Sequence, residues 1–291
     1  MADQERNEID EITGTDTTGH EWDGIKELNT PLPKWWLWTF YATCAWALVY
    51  TILYPAWPLV SEATAGVLGY STRASVHTAI EEHKSAQSVY TDRIAELDIA
   101  AVAEDGELMQ FAQAGGAAIF RTNCSQCHGA GAAGVQASGY PNLLDDDWIW
   151  GGSLEDIELT IAHGIRYEAD HDSRFSEMPA FGADEILEKT EIAQIADHVL
   201  SLTGNAESTP EAAELYADNC AACHGDEGRG EPALGAPNLA DAIWLYGGDR
   251  ERVIESITYA RAGVMPAWNG RLSDDQIKQV ALYVHSLGGG Q

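Results

Sequence analysis

Apolar and polar positions divide the chain into one long uncharged run and a series of amphipathic segments. Between Lys34 and Glu62 there is no charged residue; Trp35–Tyr54 reads WWLWTFYATCAWALVYTILY, with Pro55 and Pro58 just beyond. A helix of ~20 residues rises ~30 Å, the thickness of a bilayer's hydrocarbon core. Trp35, Trp36 and Trp38 at one end, and Tyr54 and Trp57 at the other, put amphipathic rings at the headgroup level. The pattern predicts a transmembrane helix over 35–57. An acidic arm, residues 1–34, precedes it and no small-residue cleavage site follows, so the span reads as a retained anchor and not a signal peptide. Lys26 and Lys34 lie before it and the next base is Arg73, which favours a cytoplasmic N-terminus. Cys44, in mid-span, reads as a lipid-facing or packing residue.

Beyond the span, residues 58–108 are polar and helical in part, a spacer. The remainder is a duplication. A shift of 96 residues lays Pro141-Asn-Leu143 on Pro237-Asn-Leu239 and WIWGG (148–152) on WLYGG (244–248). Two MPA-aromatic stretches, at Met178 and Met265, are 87 apart, so the first copy carries about nine extra residues within 166–177. Two units of ~90 residues are duplicated domains; a solenoid would need shorter repeats and more of them. Boundaries fall at 109–204 and 205–291, with TGNAEST (203–209) as linker. Each copy reads as a run of helices and loops. Ser153 and Asp249 stand as N-caps, Thr209-Pro210 opens a helix, and Ser273-Asp-Asp-Gln276 is a capping-box sequence. The closing helices lie near 190–202 and 274–287, the second with Val280, Tyr283, Val284 and Leu287 on one face. Domains this small pack separately only with help from a large apolar group.

Charge narrows the function. Sixteen bases against 46 acids give a net charge of −30, which argues against a nucleic-acid partner. The field could steer a basic protein partner, although the acidic arm across the membrane reads equally as plain solvation.

The chemistry lies in the cysteines. Cys124-Ser-Gln-Cys127-His128 and Cys220-Ala-Ala-Cys223-His224 are both C-x-x-C-H. Two thiols one turn apart can each join a vinyl group of one haem, and the adjacent imidazole then reaches the iron. A thioredoxin-like pair does not need the histidine, and a zinc finger needs a second ligand pair, which residues 129–219 do not supply. Of four methionines, Met178 and Met265 lie 50 and 41 residues after the two histidines and are the candidates for the opposite axial positions. A thioether favours ferrous iron and suits an electron carrier. Met109 reads as core. Own-domain ligation, Met178 with His128 and Met265 with His224, is the default for separately packed domains. Trp148, Trp150 and Trp244 are expected to pack in their domains, Trp148 or Trp244 near a porphyrin edge. Arg166 is expected on a haem propionate or in a surface salt bridge. His163, His171, His198 and His285 read as surface or satisfied-core residues.

Together these features resemble the dihaem cytochrome c subunit (CcoP or FixP) of cbb3-type cytochrome c oxidases. The likeness rests on both haem motifs, on His20-Glu-Trp-Asp-Gly-Ile25 and Pro31-Leu-Pro-Lys-Trp-Trp-Leu-Trp38, and on Gly164-Ile-Arg166 and Met178-Pro-Ala-Phe-Gly182. It implies a mainly α fold, one N-terminal transmembrane helix followed by two tandem class I cytochrome c domains. It also implies two covalent haem c groups on Cys124, Cys127, Cys220 and Cys223, with axial His128, Met178, His224 and Met265. The function implied is electron relay from a soluble or membrane-bound cytochrome c donor to the monohaem subunit and the catalytic haem–copper subunit, with no oxygen-reducing site in this chain. Because c-type haem is attached outside the bacterial cytoplasmic membrane, both haem domains are expected in the periplasm. Some family members carry two spans, so contacts of a second helix are not carried over. The competing readings are a dihaem carrier for another respiratory enzyme, such as a dehydrogenase or nitric oxide reductase, and a dihaem peroxidase. A methionine for each iron argues against the peroxidase.

Overall fold

The computed structural model describes residues 8–290, which divide into two compact units, one up to Ser85 and one from Ala86 onward. The first opens with an antiparallel hairpin, β1 (Thr17–Trp22) and β2 (Ile25–Leu28). Its turn is Asp23-Gly24, both at positive φ, 50° and 82°, the backbone of the two-residue turn that matches strand twist. The helix α1 (Lys34–Leu53) follows, with none of its residues buried and a mean hydropathy of 1.3 over its most apolar stretch. It is shorter than the expected 35–57. Pro55 pushes Tyr54 into an extended conformation and has no N–H to continue the ladder. Two of the carbonyls left at that end, Ile52 and Leu53, accept from Val67 and Leu68 at 2.9 and 3.1 Å. Gly66 allows the return at φ 71°, where a Cβ would overlap the Leu53 backbone.

The second unit is helical: α2 (Thr72–Glu96, its last turns), α3 (Ile99–Glu104), α4 (Gly106–Asn123), the single turn α5 (Ser125–His128) and α6 (Leu154–His163). Then come α7 (Lys189–Ser201), α8 (Pro210–Asn219), the turn α9 (Ala221–His224), α10 (Arg250–Tyr259) and α11 (Asp274–His285). The expected caps form. Ser153, Thr209 and Asp249 accept from backbone N–H groups of the first turns, and Ser273 with Gln276 makes the reciprocal box.

Packing departs from two separate domains. The helix α11, last in the second copy, packs on α4 and α6 of the first; α7, last in the first copy, packs on α8 and α10 of the second. One core gathers Leu108, Ala112, Phe120, Ile157 and Ile161 with Ile277, Val280 and Leu282; the other joins Ile192, Ile195 and Val199 to Tyr216, Val253 and Ile257. The closing helices are therefore exchanged between the copies. The end of the expected spacer also belongs to the first core, since Ile94, Ile99 and Val102 are fully buried there. Lys278 on α11 fixes this junction, donating to the carbonyls of Ile94, Ala95 and Leu97 at 3.2, 3.0 and 2.6 Å. An ammonium there sits at the negative end of α2.

α4 and α11 approach closely because Gly116 has no side chain. A Cβ there would overlap the Gln279 carbonyl and lie 2.7 Å from the Tyr283 Cβ. Gly116→Ala is expected to lower stability by about 1–3 kcal/mol despite alanine's better helix propensity, read as a lower thermal midpoint.

Candidate functional site

Each C-x-x-C-H forms one helical turn directly after a longer helix, α5 after α4 and α9 after α8. Asn123 and Asn219 tie their side chains back to Ile119 and Leu215, stopping the longer helices at the same place. Downstream, the chain folds over each histidine: the Nδ1 of His128 lies 3.3 Å from the Pro141 carbonyl oxygen, and that of His224 lies 3.0 Å from Pro237 O. The carbonyl takes the Nδ1 hydrogen and leaves the Nε2 lone pair free for a metal. Burial pushes both imidazoles below their ordinary pKa, toward the neutral, ligating form.

The same burial pushes the Cys124 and Cys220 thiols up to about 11. Neither of these two buried thiols has the lowered pKa that marks the attacking cysteine of a thioredoxin-type pair.

Around the first motif lies a cavity of about 240 Å³, walled by Phe120, Tyr140, Trp148, Trp150, Ile161 and Val284, with Cys124, Cys127, His128 and Met265 on its lining. Protein interiors seldom leave voids larger than a water molecule, of ~30 Å³, so this apolar space is a site. Two thiols, a tautomer-fixed imidazole and a thioether around such a space are the donor set that a covalently held haem requires, and the residues fit the group. At the second motif, Cys220 packs in one cluster with Met178, Phe181, Tyr216, Leu239 and Trp244.

Met265 thus stands with His128, and Met178 with the second motif, opposite to the own-domain default. The physical reason is the helix exchange: each MPA loop precedes its closing helix and travels with it. Met265 pairs across the copies with Ile165, N to O at 3.0 Å and O from N at 2.9 Å.

The copies also interlock reciprocally. Tyr246 lies against Gly139 and Trp150 against Gly235, each glycine leaving no room for a Cβ. Arg174 stands over Trp150 at 5.8 Å and Arg261 over Tyr246 at 4.8 Å. Trp148 lines the first cavity and donates to the Gly289 carbonyl; Trp244 packs in the second core and accepts at its carbonyl from Gln136, 2.6 Å. Arg166 forms no salt bridge among the described residues; it lines the cavity's edge and donates to the carbonyls of Gly263 (2.8 Å), also on that lining, and Ser176 (2.9 Å). Met109 packs on the first core. His163 meets Asp170 at 3.2 Å, and His198 lies 2.7 Å from the Ser208 hydroxyl with its ring against Tyr216. His171 is exposed.

Sequence reasoning overlooked Asp147, which lines the first cavity. Burial first, then Asp241 of the other copy and the neighbours Asp145 and Asp146, push its carboxyl up to about 6. Since the folded pKa lies above the unfolded value, the penalty is absent below about pH 4 and complete above about pH 6. Asp147→Asn is therefore expected to raise the thermal midpoint at pH 7, with the gain shrinking to nothing as pH falls from 6 to 4. Partial exposure limits it to about 1 kcal/mol.

A family model described as the N-terminal domain of cytochrome oxidase-cbb3, FixP, matches residues 14–61. Another, described as cytochrome c oxidase, cbb3-type, subunit III, matches 111–199 and 207–284. The chain is 56% identical over 278 residues to the cbb3-type cytochrome c oxidase subunit CcoP of Cereibacter sphaeroides, covering 94% of this chain and 95% of that one. It is 50% identical over 295 residues to the subunit FixP of Sinorhizobium medicae, across the full length of both. With the CcoP subunit of Azospirillum sp. it shares 50% identity over 297 residues, 98% and 99% of the two chains.

Proposed function

The chain belongs to the CcoP/FixP family, the membrane-anchored cytochrome c subunits of cbb3-type oxidases, and we propose that it is a two-haem relay with exchanged axial methionines. In this reading Cys124 and Cys127 would hold one haem c, with His128 and Met265 supplying its iron ligands, and Cys220 and Cys223 would hold the other, with His224 and Met178 supplying its iron ligands. The observation that carries it is the first cavity, where a tautomer-fixed histidine and the other copy's methionine share one apolar lining.

When bound, each haem supplies a one-electron ferric/ferrous couple. The protein's part is to exclude water with the aromatic walls and to hold a sulfur and an imidazole ready, so that little rearranges between oxidation states. A thioether opposite histidine raises the potential, as suits a carrier. The interlocked glycine–aromatic contacts keep the two sites in one compact unit, a favourable arrangement for passing electrons between them. The anchor α1 holds the relay at the membrane, with the haem domains on the periplasmic side. The donor is a soluble or membrane-bound cytochrome c, and the acceptors are the monohaem subunit and then the haem–copper subunit that reduces oxygen and pumps protons.

The test is purification of the membrane complex through a tag on this chain. Haem b signals beside the c-type bands, with cyanide-sensitive oxygen uptake, are expected. Only c-type bands and no uptake from an intact preparation would instead show a carrier serving another enzyme.

A further inference from the structure

The first copy's extra residues carry a device that the second copy lacks. Aligning Gly164 with Ala260, and Arg174 with Arg261, places the insertion at 165–173. Its base is closed by Arg166 N to Arg174 O (2.8 Å) and Arg174 N to Gly164 O (3.2 Å). Its interior is turned by Ser173, which accepts from Tyr167 N (2.9 Å), and by Asp170, which accepts from Asp172 N (2.8 Å).

What the loop touches is specific. Ile165 forms the two backbone hydrogen bonds with Met265 already described. Asp170 accepts from the Asn269 side chain at 2.7 Å, four residues beyond that methionine. Arg166 then reaches both methionine loops at once. Its Nε donates to Gly263 O, two residues before Met265, and its terminal nitrogen to Ser176 O, two residues before Met178. Gly263 and Ser176 are equivalent positions of the two copies, so one guanidinium bridges the same carbonyl in both. The residue is held at a positive φ of 51°, an uncommon conformation for a side chain of this size that the surrounding contacts have to maintain.

We propose that Arg166 is a positioning residue that ties the two axial-methionine loops together across one planar fork. This rests on reading Met178 and Met265 as the axial ligands. The ties are unequal. The Met265 loop keeps Ile165 and Asp170 if Arg166 is lost, whereas Ser176 is the point at which the insertion holds the Met178 loop. Lysine, a point charge on a flexible stem, does not replace a fork that spans two carbonyls.

The experiment titrates the purified full-length dihaem chain with imidazole, following the sulfur-to-ferric-iron charge-transfer band that reports methionine ligation. Each half of the band is assigned to its haem by a companion variant, Cys124→Ala or Cys220→Ala. Leaving one vinyl unreacted and conjugated moves that haem's visible band to longer wavelength. In Arg166→Gln, the imidazole concentration that displaces Met178 is expected to fall about fivefold, the population change for losing one hydrogen bond. The Met265 half is expected to move less than about twofold, with Arg166→Lys behaving like Arg166→Gln. Unchanged midpoints for both halves, or a shift of the Met265 half alone, would overturn the proposal. A changed pH dependence of the first haem's potential with both midpoints unmoved would also overturn it, assigning Arg166 to a propionate instead. The ligand reading is tested apart from this: Met178→Leu and Met265→Leu must each remove half of the band whatever Arg166 does.

Discussion

Replacing Met265 by leucine is expected, on the proposed exchanged ligation, to remove the sixth ligand from a haem held at Cys124 and Cys127, and to leave one held at Cys220 and Cys223 in its native spectrum. Met265 lines the cavity that holds His128, and its backbone is pinned to Ile165 of the other copy. Leucine keeps the volume and the apolar contact but offers no lone pair, so the loss is one of ligation more than of packing. About half of the sulfur-to-iron band should vanish, and that haem's potential should fall, since the thioether is what raises it. Electron delivery to the oxidase should drop at least about tenfold, because even changes to residues that merely orient a metal ligand cost that much. With the single-thioether mark on the first motif, the shifted band should be the one that changes. If the mark on the second motif follows Met265 instead, ligation is within each copy and the exchanged arrangement is wrong.

Expressed singly, residues 86–204 and 205–291 are each expected to fail to fold, and the two together to reassemble. The first fragment lacks α11, whose Ile277, Val280, Leu282 and Val284 are at most 5% exposed in the intact core. At roughly 1.5–3 kcal/mol for each buried side chain, their loss is comparable with the whole stability of a domain, about 5–15 kcal/mol. The second fragment loses α7 with Ile192, Ile195 and Val199 in the same way. Rapid proteolysis of each fragment alone, with protection and a methionine-ligated spectrum on co-expression, is the expected result. Independent folding of either fragment would contradict the exchange.

Much of this architecture is written locally in the chain. The uncharged run 35–54 announces α1, and Thr209-Pro210 and Ser273-Asp-Asp-Gln276 announce the starts of α8 and α11, because caps and spans depend on near neighbours. The Asp23-Gly24 turn between Trp22 and Ile25 is equally legible, since Asp-Gly suits the two positive-φ residues a two-residue hairpin needs. The exchange of α7 and α11 was not legible. Both helices present the same apolar stripe and follow the same MPA loop, so either satisfies either core by pattern. What selects the partner is contact between residues far apart in sequence, Gly116 against Gln279 and Lys278 on the end of α2. The one local hint was the length difference between the copies. It points to extra residues near 166–177, but their meaning depends on Ile165, Arg166 and Asp170 finding Met265, Gly263 and Asn269, about a hundred residues away.

The exchange of closing helices also fixes an order of events during synthesis. The first C-x-x-C-H emerges early, yet part of its cavity wall, Val280 and Val284, comes from α11, the last helix among the described residues. Contacts so distant in sequence are slow to form and close only after the intervening chain is present. Until α11 is present, the part of the cavity wall formed by Val280 and Val284 is missing, and Cys124, Cys127 and His128 stand on a more open chain. The second motif waits only for its own copy's helices, because α7 precedes it. The duplicated subunit thus keeps the earlier site open longer than the later one, and native closure of that site reports that α11 has arrived.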